Sequence, residues 1–368
     1  MKLFEYMGKD LFARYGLAVP RGRVVSSPAE AALAAREIEG PVVIKSQVLS
    51  GKRGKAGGIK FADNPAEAST MAEQLFSVRI QGMPVEKLLV EEKLAIEREF
   101  YLALTVDGSA GKPLLIASPY GGMDIEEVPE ENILKLHIDI ETGLQPFHTR
   151  EINRRLGLAG SLAGEQAKAV TGLYRVFIEK DAELVEINPL VVSGSRVIAA
   201  DAKVNIDDSA LYRQKDVPYV EERTAVEKQA RDAGLSYVEL DGNIAVMANG
   251  AGITMATLDT LQHYGGRPAN FLDAGGGTGM EATAKALEIL LATNPRVIFI
   301  NIFGGITRCD DVAGAFAKVK KERGITVPVV IRLVGTNQEA GVGILRESGI
   351  EAFQVMNEAA LKAVEMAL

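Results

Sequence analysis

The chain has 368 residues, 47% of them hydrophobic and 24% charged, and a formal net charge of −8. That length predicts two or more domains with sizeable cores, and the acidic balance excludes a nucleic-acid backbone as the main partner. The one cysteine, Cys309, excludes an internal disulfide and a cysteine-based zinc site. No apolar run approaches the roughly 20 residues of a membrane span. The amino-terminal MKLFEYMGKDLFARYG mixes acids with large apolar residues and lacks the apolar core of a signal peptide. A cytoplasmic setting without membrane contact is expected.

Phe4, Met7, Leu11, Phe12 and Tyr15 recur at helical spacing, and Gly16 stops the run. Pro20 opens an extended segment. A helix is predicted from Pro28 to Ile38, capped by Ser26 or Ser27. The strand PVVIKSQ follows, with Val43 and Lys45 on one face and Val42 and Ile44 on the other. Next comes SGKRGKAGG. Lys45, Lys52, Arg53 and Lys55 surround interleaved glycines, whose backbone N–H groups can turn inward as an anion nest. This is the logic of a phosphate grip, although no P-loop motif occurs. Two further strands, KLLVEEKL and EFYLALTVD, carry Glu91, Glu92 and Glu99 at or near their ends, where carboxylates can accept hydrogen bonds from a ribose or a base. In the second of these strands Phe100, Leu102 and Leu104 share one face. Residues 150–180 read as helical.

Residues 183–203, ELVEINPLVVSGSRVIAADAK, read as a β-hairpin. A four-residue turn at 193–196 sets Asn188 opposite Asp201 and Glu186 opposite Lys203. A three-residue turn would put Asn188 and Asp201 on opposite faces. Glu186, Asn188 and Asp201 then offer oxygens side by side, a partial shell for a hard cation such as Mg²⁺, which takes one or two carboxylates plus nucleotide phosphates.

A densely charged stretch, 221–232, is expected to be a solvated helix or linker. It places a domain boundary between 1–232 and 236–368. Beyond it, NIAVMAN, PANFLDA, RVIFINIF, VPVVIRL and EAFQV alternate with amphipathic helices, giving five β/α pairs. Such runs predict a parallel sheet covered on both faces, of the flavodoxin-like doubly wound kind. Ligands of these sheets bind outside the carboxyl ends of the strands. Four loops there carry glycine beside an amide, hydroxyl or carboxylate: Asn249 to Gly252, Asp273 to Gly277, Phe303 to Thr307, and Gly335 to Asn337. Each feeds a helix N-terminus, which favours an anion. None completes a dinucleotide fingerprint.

The loop SQVLSGKRGKAGGIK, the hairpin EINPL…DAK, the segment ALYRQ, and then DGNIAVMANGAG, GGRPANFLDAGGG and NIFGGITRCD together resemble the β subunit of succinyl-CoA synthetase, the succinate–CoA ligase. The resemblance covers essentially the whole chain. It implies an α/β protein with an amino-terminal ATP-grasp domain and a flavodoxin-like CoA-ligase domain. It implies ATP/ADP or GTP/GDP and CoA as substrates, with Mg²⁺. Carried over residue by residue, Lys45, Lys52, Arg53 and Gly54 contact nucleotide phosphates. Glu91, Leu94 and Glu99 lie at the base and ribose. Asn188 and Asp201 bind Mg²⁺. Asn249, Gly305, Ile306 and Thr307 bind the carboxylic-acid substrate. Lys52 stands where the family usually has glycine, which adds charge and restricts the backbone.

Making a thioester from a carboxylate and a nucleotide calls for a carrier of the phosphoryl group, and histidine is the obvious one. This chain offers His137 in a strand-like run, His148 in a loop near Pro146 and His263 at the end of a helix. None lies in a glycine-rich loop at a helix terminus, so all three read as structural. The carrier is expected on another polypeptide. The resemblance supplies one, an α subunit bearing a phosphohistidine and the CoA site, joined as an αβ dimer or α2β2 tetramer, with Glu186 beside the histidine at the nucleotide site. Two other readings stand alongside: the β subunit of a malate–CoA or other acid–CoA ligase, and a non-catalytic nucleotide-binding regulatory subunit.

Overall fold

The computed structural model describes residues 1–49, 54–80, 82–221 and 223–368. They form two compact units, Met1–Glu222 and Arg223–Leu368. Among the described residues no helix is long and apolar enough to cross a membrane.

The first unit is built on two sheets. The smaller has four antiparallel strands in the order Gly22–Val25, Leu88–Glu92, Val42–Ser46, Ile59–Ala62. Helices Pro28–Ile38 and Pro65–Ser77 cover one of its faces. Ser27 caps the first, its hydroxyl accepting from the Glu30 amide, and Asn64 caps the second from Glu67 in the same way. Caps of this kind are each worth about 1 kcal/mol. Val42 and Ile44 point into this core with no exposure. Val43 and Lys45 therefore face the other way, as the alternation predicts.

The larger sheet runs Arg196–Ala199, Ala182–Ser193, Arg98–Asp107, Lys112–Ser118, Leu134–His137, and Lys203–Ile206 also pairs with Ala182–Ser193. Phe100, Leu102 and Leu104 enter a core shared with helices Glu5–Arg14, Pro146–Leu156 and Gly160–Glu179. The hairpin has the expected register. Ser193 pairs with Arg196, Leu190 with Ala199, and Glu186 with Lys203. The same register on both sides of Pro189 sets Asn188 opposite Asp201. His148 corrects an expectation: it lies in the first turn of Pro146–Leu156, its Nδ1 accepting from the Gln145 amide at 2.9 Å. Proline at the first helical position starts this helix one turn before the apolar periodicity begins.

The second unit is a six-stranded sheet in the order Ser236–Glu239, Asn270–Asp273, Ile244–Ala248, Val297–Gly304, Val329–Gly335, Ala352–Phe353. The last five are parallel, and numbered along the chain they stand 2-1-3-4-5, the flavodoxin-like order. One face carries Met280–Ala292, Cys309–Arg323 and Gln338–Glu347; the other carries Ala251–His263 and Met356–Ala367. One feature differs from expectation: an antiparallel edge strand, Ser236–Glu239, precedes the five pairs. Of the two readings of the charged stretch, the structure bears out the helix. That helix, Ala225–Asp232, is closed by a reciprocal Thr224–Glu227 capping box and buries Ala230 in the second core. The two units join at 222/223.

Candidate active site

In the first unit, the sheet faces that carry Lys45 and Tyr101 enclose a cavity of about 820 Å³, within the size range of small-molecule sites. Lys45, Gly54, Glu91, Leu94, Glu186, Asn188 and Asp201 all line it. Val43, Val48, Phe61 and Leu94 give part of its lining an apolar character. Lys52 and Arg53, expected at the phosphates, lie outside the described residues.

Lys45 occupies the floor. Its Nζ donates to Glu5 Oε1 at 2.9 Å and to the Ala200 carbonyl at 2.6 Å, and stands 3.0 Å from Glu91 Oε2. Burial alone would push its pKa down. Glu5, Glu91 and Asp201 outweigh that and hold it above the ordinary lysine value. Glu91, expected at the base or ribose, is buried, and both of its oxygens accept from Lys9 Nζ at 2.6 Å. Gly22, its cross-strand partner, leaves it room: a Cβ there would meet Glu91 Cγ at 2.6 Å. Glu99 is not among the lining residues. It is exposed at the rim, with its carboxylate against Gly122.

The hairpin supplies the opposite wall. Asn188 Oδ1 accepts from the Gly122 amide at 2.8 Å, and its Nδ2 donates to the Met123 carbonyl at 2.9 Å. This ties the loop 121–124 to the cavity. The loop comes so close because Gly121 has no Cβ; one built there would sit 2.4 Å from the Phe100 carbonyl oxygen. Asp201 Oδ1 accepts from the Ala202 amide at 2.8 Å. Glu186 Oε2 accepts from the Tyr101 hydroxyl at 3.1 Å and lies 4.0 Å from Lys203 Nζ.

Among the described residues no group of three or more His, Cys, Asp and Glu side chains gathers as a self-sufficient metal site. The donor set instead suits Mg²⁺ bound together with phosphate. An amide oxygen and a carboxylate stand opposite each other on one wall, and Asn188 Oδ1 has a second lone pair beyond its bond to Gly122. Two participants were not read from sequence. Tyr101 follows from the alternation itself, since Phe100 and Leu102 inward put Tyr101 on the cavity side. Lys9 follows Glu5 by four residues on the first helix, but nothing in the sequence places that helix against Glu91.

In the second unit the four glycine-bearing loops lie at the carboxyl ends of the parallel strands. They are cross-tied. Asn249 donates to the Phe303 carbonyl and accepts from the Phe303 amide, both at 2.9 Å. It therefore spans the two strands between which the sheet order reverses, the usual crevice of such folds. Asp273 Oδ1 accepts from the amides of Gly250 and Gly275. Thr307, 1% exposed, accepts from the Gly277 amide at 3.0 Å. Thr336 donates to the Gly305 carbonyl at 2.8 Å. Gly305 and Ile306 are left exposed at the tip, ahead of the helix Cys309–Arg323. His137 pairs with Asp107 on an exposed strand, and His263 ends its helix.

Comparison with known proteins accords with this architecture. The ATP-grasp domain family matches residues 2–192, and the CoA-ligase family matches residues 247–366. Succinate–CoA ligase [ADP-forming] subunit beta of Staphylothermus marinus is 44% identical, with 100% of this chain and 99% of that protein covered. The protein of the same name from Rubrobacter xylanophilus is 46% identical, again over 100% of this chain and 99% of the other. Among solved structures, ATP citrate lyase from Methanothrix soehngenii in complex with citrate and coenzyme A shares the fold, with a TM-score of 0.72 at 20% identity over 99% of both chains. The chain belongs to the family of β subunits of ADP-forming succinate–CoA ligases.

Proposed function

We propose that the cavity of the first unit binds MgATP and passes its γ-phosphoryl group to a histidine of a separate α subunit, from which it serves succinyl-CoA formation. The family uses ATP/ADP, CoA and Mg²⁺, and a β subunit of this family works with an α partner. The observation that carries the reading is the gathering of Glu186, Asn188 and Asp201 on one cavity by the register of a single hairpin, with Lys45 brought to the same cavity from the other sheet.

The roles follow from chemistry. The apolar lining at Val43, Phe61 and Leu94 takes the base. Lys45 supplies a charged donor to the phosphates. Asn188 and Asp201 would hold Mg²⁺, which would supply neutralisation of the phosphate charge. Glu186, oriented by Tyr101, accepts a hydrogen bond from the incoming imidazole and stabilises it as it gains positive charge. The γ-phosphoryl group leaves the β-phosphate oxygen and bonds to the imidazole nitrogen. Glu91, in the cavity lining, holds Lys45 in place. Glu99 borders the cavity at the loop 121–122. In the second unit the N–H groups of Gly305 and Ile306 receive the acid's carboxylate, while Asn249 and Thr307 hold that loop in shape. The assembly is an αβ dimer or a multiple of it, in the cytoplasm.

The test is reconstitution with an α subunit from the same genome. The pair should form succinyl-CoA from succinate, CoA and MgATP; either chain alone should not. Malate and GTP run in parallel give substrate preference. Synthesis by this chain alone would contradict the reading.

A further inference from the structure

The first helix, Glu5–Arg14, lays a second lysine beside Lys45. Lys9 Nζ is within 2.6 Å of both Glu91 oxygens and 2.9 Å from Glu5 Oε1, and it donates to the Ala200 carbonyl at 2.9 Å. Lys45 contacts the same three partners. Side-chain exposure is 5% for Lys9, 11% for Lys45, 1% for Glu5 and 2% for Glu91. Two lysines thus share two carboxylates and one carbonyl, in a buried group whose formal charges cancel. The arrangement is firmly held. Gly8 brings the helix onto the hairpin, where a Cβ would meet Ala202 Cβ at 3.0 Å. Gln47 donates to Glu5 Oε2 at 3.3 Å and accepts from the Tyr6 amide at 3.1 Å, joining the helix to the strand that carries Lys45.

Only one of the two lysines faces the cavity. Lys45 lines it; Lys9 does not. Phosphate arriving at the floor attracts Lys45 away from Glu5 and Glu91. A buried carboxylate left without a cation is strongly destabilising. Lys9 already contacts both carboxylates, so they stay neutralised as Lys45 turns outward. We propose that Lys9 is a positioning residue for nucleotide binding, a resident counter-cation that frees Lys45 to bind phosphate. This rests on the reading that the cavity takes MgATP.

The experiment measures MgATP affinity by calorimetry on the full chain purified with its α partner, for Lys9→Met and for Lys9→Met combined with Glu5→Gln. The single variant leaves a surplus negative charge beside the phosphates and binds Lys45 more tightly to the carboxylates. Its dissociation constant is expected to rise about tenfold or more. The double variant restores the charge balance with Glu91 paired to Lys45, and its affinity is expected within about threefold of the parent. The double variant has no surplus buried carboxylate, so it decides the matter even where Lys9→Met alone fails to fold. Parental affinity in a folded single variant, or a loss in the double variant as large as about tenfold, overturns the proposal, because Lys9 then acts through packing or not at all. Failure of the parent complex to bind MgATP overturns the functional reading, and this assignment with it.

Discussion

Tyr101 and Glu186 meet from adjoining strands, the phenol donating to the carboxylate at 3.1 Å inside the cavity. Burial, and then the Glu186 charge, raise the Tyr101 pKa above the ordinary phenol value, so the hydroxyl remains a donor through neutral and alkaline assays. Tyr101→Phe removes that donor and leaves the ring. A hydrogen bond to a charged group is worth about 1.5–3 kcal/mol, so phosphoryl transfer is expected to slow by about tenfold or more while MgATP affinity stays near the parent value. Rapid-quench measurement of transfer beside a binding titration separates the two. An equal loss in both would place Tyr101 in nucleotide binding.

Asp201→Ala removes the carboxylate set opposite Asn188 by the hairpin register. The expected result is a fall in phosphoryl transfer by orders of magnitude, since the metal contributes several kcal/mol in such reactions. The Mg²⁺ concentration giving half-maximal rate should also rise. A magnesium titration of the variant's transfer rate checks both. Unchanged magnesium dependence would leave the hairpin with a structural role alone.

Two adjacent glycines in the second unit should behave differently. A Cβ on Gly304 would meet the Thr307 carbonyl oxygen at 2.6 Å, whereas one on Gly305 meets nothing within 4 Å. Gly304→Ala is therefore expected to lower the unfolding temperature, with overpacking of this kind costing about 1–3 kcal/mol. Gly305→Val should leave stability near the parent value and raise KM for the acid without altering that for ATP. Thermal melts and steady-state kinetics on the two variants check this. A Gly305→Val protein with parental KM would remove the loop tip from the acid site.

Arg308 grips Asp310 at 2.7 Å, and with Asn337 it holds the carboxyl down at about 2, against an ordinary value of 3.8. A carboxyl depressed on folding stabilises the native state above its unfolded pKa, and that contribution is lost as pH falls through the folded value. The stability gap between the parent and Asp310→Asn should therefore be full at about pH 5 and close towards about pH 2. Melting temperatures of both proteins across that range test it, with a pH-independent gap as the contrary result.

Local signals in the sequence carried far. Ser27 and Pro28 start a helix where they stand, and the Ser193 to Arg196 turn fixes which side chains of the hairpin share a wall. Five alternating pairs define the doubly wound sheet. Two kinds of feature stayed hidden. The strand Ser236–Glu239 is short and carries an exposed glutamate, so its pattern matches a loop until the partner strand Asn270–Asp273 is known. The helix Ala225–Asp232 is anchored mainly through Ala230, too little apolar surface to distinguish it from a solvated one. The buried ionic floor was hidden for another reason. Lys9 and Glu91 are 82 residues apart, and Lys9 and Ala200 are 191 apart. A lysine on a first helix reads as solvated unless the tertiary fold places carboxylates over it. The strand of Glu91 was legible; its neighbour Lys9 was not.

The most direct test of the account is a single-turnover measurement of phosphoryl transfer from γ-labelled ATP to the α partner, by the parent chain and by Glu186→Gln, at saturating MgATP. Glutamine keeps the shape of Glu186 and removes the charge that would stabilise the attacking imidazole. The account predicts rapid labelling of the partner's histidine by the parent. It predicts labelling slower by about a hundredfold or more in the variant, with MgATP affinity nearly intact. Labelling by Glu186→Gln at the parent rate, or no labelling of the partner by the parent, would contradict it.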